Sequence, residues 1–226
     1  MKKPAGVWRH GTKGILRKQA SVVTTLYFYH DPMCAWCWGY RPVSDQILAK
    51  LPDGVQLVQV LGGLAADSDD PMPARLREMI PNGWHRIHDM LGTEFNFDFW
   101  TKCKPRRSTY PSCRAVLAAG KQGHYGEMID AIQRAYYLRV MNPSDIEILE
   151  LLAEELGLDA DKFATDIRSA ETDEELQRQV QFARQSPIDG YPSLTMDISG
   201  ELVWVTRNYR DPQPTLDHIE SLVSGT

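Results

Sequence analysis

The segment TTLYFYHDPMCAWCWGY, residues 24–40, constrains this chain more than any other. Alternating β-branched, aromatic and aliphatic residues predict a buried strand over about Thr24–Tyr29. Asp31 and Pro32 then make a turn, and a Cys-x-x-Cys pair, Cys34 and Cys37, opens a helix. The first turn of a helix carries unpaired backbone N–H groups at the positive end of the macrodipole. Both favour the thiolate, the nucleophile of disulfide exchange. On this reading Cys34, at the exposed end, attacks, and Cys37, one turn deeper, resolves the mixed disulfide. Two other readings stand beside it: half of a zinc site, or structural thiols. Zinc takes four ligands, usually from two such knuckles, and the remaining cysteines, Cys103 and Cys113, form no second knuckle. The preceding strand favours redox chemistry.

A right-handed β-α-β unit follows if Val55–Leu61 (VQLVQVL) is a second, parallel strand after a helix reaching about Leu51. Pro42 is expected to kink that helix. From about residue 66 to 185 the periodicity is helical. One or two helices, broken at Pro81-Asn82-Gly83, are expected over 71–91, and an aromatic turn over 95–103. Further helices are expected over 110–122, 125–140, 143–156, 159–169 and 173–185, the last charged enough to lie on the surface. Strand character returns at Ser193–Ile198 and Glu201–Thr206 around the Ser199-Gly200 turn, a hairpin, before a helix over 215–223. Three parts result: a basic N-terminal arm, 1–22; a thioredoxin-like domain from 23–65 and 186–226; and a helical insertion, 66–185.

Composition narrows the function classes. The 226 residues carry a net charge of −5 and only four cysteines, too few for a disulfide scaffold. No apolar run reaches the roughly 20 residues of a membrane span, and the arm lacks the apolar stretch of a signal peptide. A cytoplasmic protein with no membrane or nucleic-acid partner is expected, the arm being a solvated tail.

The βαβ–ββα frame with Cys-x-x-Cys resembles the thioredoxin fold. Its long helical insertion resembles the DsbA-like branch, which also holds FrnE-like oxidoreductases, kappa-class glutathione transferases and 2-hydroxychromene-2-carboxylate isomerases. The run Asp31-Pro32-Met33-Cys34-Ala35-Trp36-Cys37-Trp38-Gly39, with Phe95–Trp100 and Pro105–Pro111, is similar to bacterial DsbA-family proteins assigned as protein-disulfide isomerases. The resemblance implies an α/β thioredoxin fold and thiol–disulfide oxidoreductase activity on substrate proteins or small thiols and disulfides. It also implies a cis proline facing the cysteines, which falls on Pro192 of Gly190-Tyr191-Pro192-Ser193, with the Tyr191 backbone pairing to an extended substrate. Two departures stand out. The family often carries a buried carboxylate six residues before the first cysteine, where this chain has Phe28. The Ala35-Trp36 dipeptide matches neither thioredoxin nor DsbA.

Trp36 is expected to be an exposed substrate-docking surface. Arg106 and Arg107, ahead of a helix that Ser108 or Thr109 could cap, are candidates for binding the carboxylates of glutathione. No cofactor or metal is expected, and glutathione is a candidate substrate. Cys103 and Cys113 read either as a second redox pair or as partly buried thiols. His85 and His88 lack the further ligands of a metal site. The alternatives to the oxidoreductase are a glutathione-dependent isomerase or transferase and a zinc-binding interaction protein.

Overall fold

The computed structural model describes residues 24–225; the basic arm, 1–22, lies outside them. Four strands form one sheet in the order β2-β1-β3-β4. The central strand β1 (Thr24–His30) pairs parallel with β2 (Val55–Leu61) and antiparallel with β3 (Ser193–Ile198); β3 pairs antiparallel with β4 (Glu201–Trp204). Helix α1 (Ala35–Leu48) joins β1 to β2, and α9 (Gln213–Ser224) ends the chain. Between β2 and β3 lie α2 (Ala74–Leu91), α3 (Phe99–Lys102), α4 (Tyr110–Gly120), α5 (Tyr125–Tyr137), α6 (Ile146–Glu155), α7 (Ala160–Asp166) and α8 (Ala170–Gln185). This is the thioredoxin fold with a helical insertion.

β1 is buried on both faces because its side chains alternate between two cores. Leu26 and Phe28 pack with Tyr40, Val43 and Ile47 of α1, Leu194 and Met196 of β3, and Leu216 and Ile219 of α9. Tyr29 points the other way, into a small core with Val60 and Ala183, and its hydroxyl bonds Ser186 and Thr195. A larger core lies within the helical segment. There Trp84, 1 % exposed, is ringed by Phe95, Phe97, Phe99, Trp100, Tyr136 and Tyr137.

One expectation about helices is corrected. α2 runs unbroken through Pro81. An interior proline costs about 3 kcal/mol, but burying an indole of about 200 Å² returns about 5 kcal/mol, and Trp84 sits one turn past the proline. The helix stops at Gly92, whose φ of 71° is left-handed and whose N–H bonds the His88 carbonyl. α8 lies on the surface as its charge implies, with an apolar stripe turned inward. It buries Leu176, Val180 and Ala183, and Gln179 accepts the Leu61 N–H at 2.8 Å, at the end of β2.

Candidate functional site

The turn between β1 and α1 is built around Asp31. Its carboxylate accepts the Met33 N–H at 2.8 Å, while its carbonyl accepts the Cys34 N–H at 3.0 Å. Cys34 is the N-cap of α1, in extended conformation, and its carbonyl accepts the Trp38 N–H. The first thiol thus stands at the amino end of the helix, as its sequence context implied. The expectation that it is exposed is corrected: Cys34 and Cys37 are each 6 % exposed. What covers Cys34 is the loop ahead of β3. Its Sγ lies 3.4 Å from the Tyr191 carbonyl oxygen, and the Tyr191–Pro192 bond is cis.

That loop is held from both sides. The Tyr191 hydroxyl donates to the Gly62 carbonyl at 3.0 Å. A Cβ at Gly62 would fall 2.1 Å from the Tyr191 ring, so only glycine admits it. Arg207 donates to the Pro192 carbonyl and to Ser193 Oγ. In the sequence Gly62-Gly63 reads only as the end of a strand, and nothing marks Arg207.

Cys37 lies behind Cys34. Burial first, then the hydrogen bond and charge shared with Cys34, push its pKa well above that of an ordinary thiol. All four cysteines are free.

Asp31, which the sequence placed only in a turn, faces the helical segment. Fully buried, it also accepts the Leu64 N–H at 2.8 Å, Thr109 Oγ1 at 2.8 Å and the Cys113 thiol at 3.7 Å. Burial raises its pKa, and these donors offset part of the rise. The carboxylate ties the turn between β1 and α1 to Thr109 and Cys113 at the start of α4. Thr109 is the N-cap of α4, one of the two residues expected there, but its hydroxyl is spent on Asp31 and makes no capping bond to the helix. Cys113 is buried against Asp31, whereas Cys103 donates to the Val140 carbonyl, so the two thiols have different partners.

The remaining candidates are placed as follows. Trp36 is half-buried rather than exposed. Its ring meets Tyr209 edge-on at 5.3 Å, and the Arg86 guanidinium lies 5.8 Å from its centre. Arg106 is committed to the segment ahead of α6, bonding Asp145 at 2.8 Å and the Ser144 carbonyl at 2.6 Å. Its charge is neutralised there, which corrects its expected role as an anion binder. Arg107 is half-buried beside Tyr136. Burial raises the pKa of that phenol, and the arginine charge opposes the rise. His85 stacks on Phe97, and His88 bonds the Thr93 carbonyl. Among the described residues no group of three or more His, Cys, Asp or Glu stands ready for a metal ion. Among them, too, no helix is long and apolar enough to cross a membrane.

A thiol pair at a helix N-terminus, set against a cis proline on this sheet, defines the thioredoxin-like class. Within it the chain belongs to the DSBA-like thioredoxin domain family, whose model matches residues 25–210. A candidate protein disulfide isomerase from Nitrosomonas europaea superposes with a TM-score of 0.77 at 26 % identity, covering 89 % of this chain and 98 % of that one. The cytosolic disulfide reductase DsbM from Pseudomonas aeruginosa, also solved with GSH, superposes at 0.71 and 24 % identity over 89 % and 100 % of the two chains, a likeness of fold. Among curated relatives, the ClpXP adapter protein SpxH of Halalkalibacterium halodurans is 22 % identical over 81 % of this chain, and that of Bacillus subtilis 25 % over 75 %. The chain spans 63 % and 57 % of those two proteins.

Proposed function

We propose that this protein is a thiol–disulfide oxidoreductase in which Cys34 attacks and Cys37 resolves. The observation that carries the reading is the placement of Cys34: at the N-cap of α1, 3.4 Å from the carbonyl next to the cis proline, with the buried Cys37 behind it. Reduced Cys34 displaces one sulfur of a substrate disulfide and forms a mixed disulfide. Cys37 then attacks the Cys34 sulfur and releases the second substrate thiol. In reverse, the oxidised pair takes two electrons from a substrate dithiol. Pro192 shapes the face of Cys34. Contact with a substrate protein, or with a small disulfide such as glutathione disulfide, is assigned to the Tyr191 backbone, Trp36 and Arg107. The DsbM complex with GSH supports that last choice.

The same reading places the protein in the cytoplasm. It also treats residues 23–65 with 186–226 as the redox domain and 66–185 as an insertion that shapes substrate access. The experiment is trapping. Cys37→Ser should accumulate a mixed disulfide through Cys34, reversed by dithiothreitol, while Cys34→Ser should trap nothing. Equal trapping by both variants would refute the assignment.

A second reading rests on the curated relatives named as ClpXP adapters: a protein-binding adapter on the same fold. It predicts partner binding that survives replacement of both Cys34 and Cys37 by serine.

A further inference from the structure

Cys37 has an opening of its own. It lines a cavity of about 630 Å³ between α1 and α5 that His30 also lines, and Cys34 is not among the lining residues. His30 is 3 % exposed, stacked on Phe28 and edge-on to Tyr125, and its Nε2 is buried with no hydrogen-bond partner among the described residues. A buried imidazole nitrogen without a partner is costly, and the cavity at its side, whose lining includes Ser44, Gln59 and Gln133, offers further partners to a water that satisfies it. The charged and titratable groups lining this space besides His30 are Cys37, Arg41 and Asp45 from α1 and Glu127 and Asp130 from α5; β2 contributes the neutral Gln59, and Tyr125 touches the space only through its contact with His30. Arg41 is paired with Asp130 and, at 3.6 Å, with Asp45. Asp31, the other buried acid near Cys37, already accepts four donors and has little capacity for a fifth.

The exchange step needs what this cavity supplies. When Cys37 attacks, a bond forms between its sulfur and that of Cys34, and the bond from Cys34 to the substrate sulfur breaks. The substrate sulfur leaves with the electron pair, Cys37 is oxidised, and its thiol proton must depart. We propose that the cavity is the exit for the Cys37 proton, and that His30 is a positioning residue holding the accepting water beside the thiol. The inference rests on the oxidoreductase reading and assigns the route of its second step.

Reduced protein mixed with 5,5′-dithiobis(2-nitrobenzoate) in a stopped-flow instrument separates the two steps. Cys34 releases the first thionitrobenzoate, and Cys37 releases the second. Two variants test the route. His30→Phe removes the imidazole. Gly126→Phe plugs the cavity from α5, at a position where a Cβ meets nothing within 4 Å. Both should keep the first phase within about twofold and slow the second by about tenfold or more, with its pH profile moved upward. A second phase that keeps its wild-type rate and pH profile in either variant overturns the proposal. Absence of the first phase in the wild-type protein refutes instead the exchange reading beneath it.

Discussion

Residues that decide the site do so through burial. His30 is held near a pKa of about 4 by desolvation, against an ordinary 6.5. The unfolded chain therefore takes up a proton near pH 6.5 that the native state refuses until about pH 4. Stability from this group is fully present above pH 6.5 and is lost as pH falls toward 4. Over that window the loss amounts to about 3 kcal/mol at 1.36 kcal/mol per pKa unit. Urea unfolding of wild type and His30→Phe at pH 7 and pH 4 should show the wild type losing about that much more. Parallel losses would mean that His30 is already protonated in the native state at pH 4. His30 and Asp31 are visible in the sequence as polar residues beside the motif. Their burial is not, because it depends on α4 and α5, which arrive a hundred residues later.

The elements follow the pattern rules where one face of one element decides the outcome. β2 runs over Val55–Leu61 as its apolar alternation implies, and β3 over Ser193–Ile198. The rules fail where tertiary burial outweighs a local signal. Proline, asparagine and glycine at 81–83 announce a break, yet Trp84 and Ile87 anchor the face that follows them and α2 continues. The charge of α8 hides a narrow apolar stripe that packs on β2 and α4. Within α2, Pro81 has no N–H to give the Arg77 carbonyl. Pro81→Ala restores that bond and should raise unfolding stability by about 1–2 kcal/mol, the helix gain outweighing the added freedom of the unfolded chain. A thermal melt reads this directly. A fall in stability would show that the packing of the Pro81 ring matters more than the missing bond.

At the scale of the whole molecule, a helix-and-sheet core and a larger helical core meet beside a thiol pair. The order β-α-β, helices, β-β-α was legible because each half carries its own turn residues and periodicity. The thiols were legible because Cys-x-x-Cys after a strand has few physical meanings. The parts that join the halves were not. Asp31 with Thr109 and Cys113, Gly62 with Tyr191, and Arg207 with Pro192 are contacts between residues far apart in the chain, and no spacing rule reaches them. The same distance explains Arg106, which looked free beside Arg107 and is bound to Asp145. The central claim, that Cys34 and Cys37 form one reversible redox pair, is tested most directly by their equilibrium in glutathione buffers. Tryptophan fluorescence from Trp36 and Trp38 and thiol alkylation would follow it. A single two-electron transition between roughly −120 and −270 mV is predicted. Two thiols that stay independent, with no reversible transition in that range, would contradict it.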